Sequence, residues 1–231
     1  MSFRQCRMQS HMLVFNHSLQ VFQTTLLPQT ITHGFGTRMT GDGRDLGQIT
    51  QYFNRNNISI KSIVDPDQHH SDTIVVVGEK TDSSGMTACD GLITGCSGTV
   101  LTVVTADCMP ILYADLRTNK IGISHNGRVG TNLQLAKKMV KQFVDSGSDL
   151  SVMRVVLGPA IGACCYPMNL LEENIHQLTE IGVKKSQIDY FPFCTHCDSQ
   201  RFFSYRRSMR APNFPEQFSY IMIPSSTNIP S

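Results

Sequence analysis

The residues best equipped for chemistry in this chain are one thiol and two imidazoles. Cys108 lies in Thr105-Ala106-Asp107-Cys108-Met109-Pro110, His125 opens His125-Asn126-Gly127, and a histidine follows glutamine in Gln68-His69-His70. Each stands at the end of a strand-like run, where side chains from distant parts of a chain can converge on one cleft. Zinc accepts one thiolate and two imidazoles, which leaves a fourth tetrahedral position open for water or substrate. Thiolate ligation at neutral pH requires the metal or a nearby charge to lower the thiol pKa. The spacing is no local zinc-finger signature, and a buried cysteine with two surface histidines is the ordinary alternative for the same residues.

Other chemistry-bearing groups are less ordered. Cys194-Thr195-His196-Cys197 is a C-x-x-C, but no second C-x-x-C follows to complete a four-ligand site, so packing or local ordering is expected of it. Cys164-Cys165 read as buried thiols, and Cys6, Cys89 and Cys96 carry no pattern. Arg38 sits in the glycine-punctuated His33-Gly34-Phe35-Gly36-Thr37-Arg38, where a guanidinium could grip phosphate oxygens in a two-pronged fork. Arg206-Arg207, after the aromatic Phe202-Phe203-Ser204-Tyr205, could do the same or form a solvated edge.

These groups have to be carried by an alternation of strands and helices. The β-branched run 99–105 is a strand, and Pro110 forbids its simple continuation. Residues 111–115 and 121–124, separated by Arg117-Thr118-Asn119, form a hairpin, so mixed sheets are expected rather than a purely parallel one. Further strands are expected at Met12-Leu13-Val14-Phe15, near Val21-Phe22, at 73–77, at Leu92-Ile93-Thr94, at 152–157 and at 202–205. Ile49, Tyr52 and Phe53 have helical spacing. Thr131 is expected to cap a helix over 131–146 whose apolar face is Leu133, Ala136, Met139, Val140, Phe143 and Val144. The free N–H groups at its start would suit an anion near His125. Asn169 and Glu172 make a capping box for a helix through Ile181, stopped by Gly182. The expected fold class is α+β: layered mixed β-sheets flanked by helices, in a single compact domain spanning 1–231. Residues 79–88 read as an exposed loop.

With 231 residues, 40% hydrophobic content and a formal charge of +2, the chain has the balance of an ordinary globular protein. Nothing in that balance calls for nucleic acid or an anionic membrane as a partner. The first fifteen residues hold Arg4 and Arg7 but no unbroken apolar run, which is not the pattern of a signal peptide. Eight cysteines without an export signal point to reduced thiols and a cytoplasmic location.

Taken in order, the motifs His33–Arg38, Gln68-His69-His70-Ser71, Asp90-Gly91-Leu92-Ile93-Thr94, Thr105–Pro110, His125-Asn126-Gly127, Gly158-Pro159-Ala160-Ile161-Gly162-Ala163-Cys164-Cys165-Tyr166, and Cys194-Thr195 with Phe202–Arg207 resemble the laccase-like multicopper polyphenol oxidase family, whose members act as purine nucleoside phosphorylases with adenosine deaminase activity. The resemblance implies a metal, zinc or else copper, held by His70 rather than His69, with Cys108 and His125, and makes these three the catalytic residues. It implies purine nucleosides (adenosine, inosine, guanosine, methylthioadenosine) and phosphate as small-molecule partners. Arg38, Asp107 and Arg128 are the expected substrate-binding residues. Asp107 would carry a proton or, the favoured role, orient His125. Where the family usually reads Ala-Gly-Trp-Arg-Gly after the later histidine, this chain has Asn126-Gly127-Arg128-Val129-Gly130, so its arginine is displaced by one place. Two rival chemistries remain at this point: copper-dependent phenol oxidation, although the eight histidines include no His-x-His, and a metal-free hydrolase with Cys108 as nucleophile and His125 as base.

Overall fold

The computed structural model describes residues 13–79, 88–209 and 213–225. Met12, Cys6, Arg210 and most of the 79–88 stretch lie outside them. The chain begins with β1 (Leu13–Asn16), β2 (Val21–Thr24) and β3 (Thr32–Gly36), an antiparallel meander, followed by α1 (Leu46–Arg55) and the short β4 (Ser62–Val64). Next come β5 (Ile74–Val77), β6 (Gly91–Thr94), β7 (Thr99–Thr105), β8 (Met109–Asp115) and β9 (Lys120–Asn126). Two helices, α2 (Arg128–Asn132) and α3 (Leu135–Asp145), lead to β10 (Met153–Leu157), α4 (Leu170–Glu180), β11 (Ile188–Tyr190) and β12 (Gln217–Met222).

These strands form two six-stranded sheets, β1-β2-β3-β12-β7-β4 and β11-β10-β8-β9-β6-β5. Both are mixed: β4 joins β7 in parallel in the first, β5 joins β6 and β11 joins β10 in parallel in the second, and the other pairs are antiparallel. The period-2 alternation of side chains sorts the core into three apolar layers. Leu101, Val103 and Ile221 of the first sheet meet Leu112, Ile121 and Ile123 of the second between the sheets. Val100, Phe218 and Tyr220 turn outward onto Ile49, Tyr52 and Phe53 of α1. Ile111, Tyr113 and Val155 turn the other way onto Met139 and Phe143 of α3 and Leu178 of α4. The result is one domain of two mixed sheets with helices on the outer faces, in agreement with the α+β reading.

Several local expectations need correction. β7 and β8, adjacent in sequence, belong to different sheets, and the corner Ala106-Asp107-Cys108 carries the chain from one to the other. The helix expected over 131–146 is broken: Gln134 is left-handed (φ 60°), α2 starts directly after Gly127, and Leu133 and Val144 are exposed while Leu135 takes the core position. Residues 202–205 are not a strand, because Phe202 packs into the inter-sheet core and the Phe203 N–H is taken by the Gln217 side chain. The glycines of the His33–Arg38 stretch serve packing. They lie inside β3, where a Cβ at Gly34 would come within 2.9 Å of Tyr220 and Val21 atoms, and one at Gly36 within 2.3 Å of the Phe218 carbonyl oxygen. The hairpin β8/β9 and the α4 cap, in which Asn169 accepts from the Glu172 N–H at 3.3 Å, agree with the sequence reading.

Candidate metal centre and cavity

His125, near the end of β9, shares its face with Ile121 and Ile123 and therefore looks into the space between the sheets. Cys108 leaves the corner at the same rim. The third group is His70, on the loop before β5. That loop is fastened from both sides. The Gln68 amide donates to the Val104 carbonyl (2.9 Å) and accepts the Val104 N–H (2.7 Å), so one side chain continues the β7 ladder beyond β4. On the other side the loop wraps the Asp90 carboxylate, which accepts the backbone N–H groups of His69 (3.2 Å), His70 (3.1 Å) and Ser71 (2.5 Å) and the Ser71 hydroxyl (2.7 Å).

One donor atom each from His70, Cys108 and His125 lie within 4.8 Å of one another, with His70 Nε2 3.7 Å from Cys108 Sγ. His69 stays outside and pairs with Asp67 at 2.9 Å. His125 Nδ1 meets Asp90 Oδ1 at 2.7 Å, which leaves Nε2 for the centre. A carboxylate behind a histidine fixes its tautomer and ring orientation and raises its basicity as a ligand. Burial by itself would raise the Asp90 pKa, but the bonds from His125 and Ser71 outweigh it and hold the carboxyl at about 2. Burial opposes ionisation of Cys108 too, yet the charge of His125 and its hydrogen bond bring the thiol down to about 7, and the reciprocal charge raises His125. The donor set is thus one thiolate-prone sulfur and two imidazoles facing a cavity, and it fits a borderline-soft divalent ion. Packing here is tight: a Cβ on Gly127 would lie 2.6 Å from Cys108 Sγ.

The residues orienting the site differ from those expected. Asp90, not Asp107, holds His125. Asp107 reaches the cavity wall, but its carboxylate is occupied by Thr195 Oγ1 (2.8 Å), Ser204 Oγ (2.9 Å) and the Arg206 N–H (2.8 Å), which makes it the hub of the corner that presents Cys108. Arg38 does not line the cavity. Its guanidinium lies over the Phe203 ring at 4.8 Å and donates to the Ser199 carbonyl. Arg207 is also spent on backbone, donating to the Thr195, His196 and Phe202 carbonyls. Asp90 carried a faint signal in sequence, an Asp-Gly opening a buried strand.

The centre floors a cavity of about 660 Å³ that also receives Arg128, Arg206, Tyr166, Tyr205, Phe214 and Glu216. Neither Arg128 nor Arg206 forms an ion pair among the described residues, and Arg206 rests over the Tyr166 ring at 5.1 Å. α2, which starts with Arg128, is clamped by α4: Asn174 donates to Thr131 Oγ1 (3.0 Å) and Gln177 to the Thr131 carbonyl (2.7 Å). Burial raises the Glu216 pKa against the opposing charges of His125 and Arg44. Replacing Asp90 by asparagine is expected to weaken metal affinity about 10- to 100-fold, as loss of an orienting carboxylate does. Competition against a calibrated chelator measures this, and unchanged affinity would remove Asp90 from the role given it.

Comparison with known proteins places these features among relatives. A family model described as multi-copper polyphenol oxidoreductase laccase matches residues 46–170 and 166–223. The human protein named purine nucleoside phosphorylase LACC1 is 27% identical over 257 residues, covering 89% of this chain, and the chain in turn spans 58% of that relative's length. Adenosine deaminase RL5, from an unknown prokaryotic organism, is 25% identical over 187 residues, 65% of this chain and 71% of its own. The crystal structure of YlmD from Geobacillus stearothermophilus superposes with a TM-score of 0.78 at 23% identity, over 89% of this chain and 97% of the other, and shares the fold.

Proposed function

The chain belongs to the family described as multi-copper polyphenol oxidoreductase laccase, and from that premise we propose that it is a metal-dependent purine nucleoside phosphorylase with adenosine deaminase activity. Its substrates are adenosine, inosine, guanosine and methylthioadenosine, and a zinc ion is held by His70, Cys108 and His125. The observation that carries this reading is the pairing, in one cavity, of a three-donor metal centre with two unpaired guanidinium groups and a wall of aromatic rings.

The parts divide as the reaction requires. In phosphorolysis a phosphate oxygen bonds to the anomeric carbon as the bond from that carbon to the purine nitrogen breaks, giving ribose 1-phosphate and free base. The sugar is cationic in the transition state, so fixed anion placement dominates the rate. Arg128 and Arg206 hold the phosphate and take the place first given to Arg38. Tyr166, Tyr205 and Phe214 accept the flat base. When bound, the metal supplies a Lewis acid at the cavity floor, the chemistry that hydrolytic removal of an amino group needs. Glu216, whose pKa burial raises above the ordinary carboxylate value, gives its proton to the departing purine.

Glu216→Gln is expected to lower kcat for phosphorolysis about 100-fold, within the range for loss of a general acid, with metal content unchanged. The acid form is the active one, so wild-type phosphorolysis falls as pH rises through the elevated Glu216 pKa, and the variant lacks that alkaline limb. A variant with the wild-type pH profile would exclude Glu216.

The function itself is tested by following adenosine by mass spectrometry with zinc-loaded protein. Adenine and ribose 1-phosphate are expected only when phosphate is present, and inosine with or without it. Failure to consume any of the four nucleosides would overturn the reading. The closeness of Cys108 to His125 favours one rival, the metal-free Cys-His hydrolase, which would keep turning over in chelator. Phenol oxidation by a multicopper centre would need further histidine clusters. Among the described residues the only other group able to hold a metal is made of cysteines.

A further inference from the structure

The two cysteine pairs that looked unrelated in sequence come together in space. Cys164 and Cys165 follow the turn after β10, and Cys194 and Cys197 lie in the loop after β11. Their four sulfurs are all within 4.8 Å of one another. Cys197 Sγ is 3.4 Å from Cys165 Sγ and 3.7 Å from Cys164 Sγ. Four thiolates around a tetrahedral zinc at about 2.3 Å each stand about 3.8 Å apart, so the cluster is already near coordination spacing. Disulfide bonding needs about 2.05 Å and would use only two sulfurs at a time. The backbone adds a second indication. Cys194 Sγ accepts the Gly162 N–H at 3.1 Å and is also approached by the N–H groups of His196 and Cys197, so the loop folds back over its first sulfur as a knuckle does around a metal thiolate. Cys164 and Cys197 are exposed, which gives an ion a path in, while Cys194 is buried.

We propose that Cys164, Cys165, Cys194 and Cys197 form a second metal site, a closed tetrathiolate site for zinc, distinct from the centre at Cys108. With all four positions taken by protein it has no room for substrate, and its role is structural. It ties together two segments that shape the cavity. Tyr166 directly follows Cys165. Thr195, between the two loop cysteines, donates its N–H to the Ala160 carbonyl at 3.0 Å and its hydroxyl to Asp107. This proposal does not depend on which reaction the cavity catalyses.

The test counts ions on the full chain, purified with its thiols reduced and loaded with Zn²⁺ in chelator-cleared buffer, by native mass spectrometry and elemental analysis. Wild type should carry two zinc ions, Cys108→Ala one, Cys197→Ser one, and the double variant none. Cobalt(II) gives a readout that does not need Cys197→Ser to fold. Cys108→Ala loaded with Co²⁺ should show the strong near-ultraviolet sulfur-to-metal charge transfer of several thiolates, together with tetrahedral visible bands. One zinc in reduced wild type and none in Cys108→Ala would overturn the proposal. So would a Co²⁺-loaded Cys108→Ala without thiolate charge transfer, or a mass short by two hydrogens, which would mean that the cysteines are a disulfide pair instead.

Discussion

Cys108→Ala is expected to lose the ion at the His70–His125 centre and, with it, turnover of every nucleoside. Cys197→Ala should keep that ion. The sulfur is the only anionic donor among the three ligands, and the two imidazoles left behind stand beside a void where it was. Affinity should fall by well over the 10- to 100-fold typical of losing a mere orienting group, and the deficit should be visible in the same chelator competition. In the metal-free protein Cys108 gives up its proton near pH 7, while His125, raised, holds one above it. Loading the centre therefore releases protons throughout the neutral range, and apparent affinity should climb with pH, more steeply below about 7 where the thiol must also be stripped. Full retention of metal by the Cys108 variant would dismantle the assignment of all three ligands.

The second large effect concerns stability. Asp107→Ala should cost about 3 kcal/mol or more, because it strands two buried donors, Thr195 Oγ1 and Ser204 Oγ, together with the part-buried Arg206 N–H. The backbone adds to the penalty. Asp107 has φ 91°, a conformation that aspartate and asparagine tolerate better than alanine. For a chain of this size such a loss lowers Tm by roughly 6–12 °C, which calorimetry resolves easily. Asp107→Asn keeps the shape and at least one acceptor, so its loss should be clearly smaller. Equal melting of wild type and Asp107→Ala would show that the corner is held by something other than this carboxylate.

Local regularities were the legible part of the sequence. The α1 face of Ile49, Tyr52 and Phe53, the β8/β9 hairpin and the Asn169 cap each depend on neighbours a few residues apart, and each was visible. Which sheet a strand joins depends on partners far along the chain. Nothing in 99–115 announces that β7 pairs with β12 while β8 pairs with β10. The same reason hid Asp90 behind His125, Glu216 in the cavity and the convergence of Cys164-Cys165 with the C-x-x-C. The aromatic run at 202–205 misled because burial of Phe202 in the inter-sheet core produces the same composition as a strand. The glycine setting of Arg38 serves close packing within β3, and the guanidinium itself lies over Phe203, away from the cavity.

The glutamine two places before His70 carries an implication for engineering and for reading divergent homologues. Its amide stands in for one peptide unit of a neighbouring strand, so it acts as a ruler that sets the imidazole's reach from the first sheet, while Asp90 sets it from the second. Inserting or deleting a single residue between 65 and 73 would leave one of these two tethers unmet and swing the ring away, whereas Gln68→Glu, with the length unchanged, would aim a carboxylate oxygen at the Val104 carbonyl. Spacing on this loop is therefore the quantity to inspect first when asking whether a distant chain could still assemble the centre.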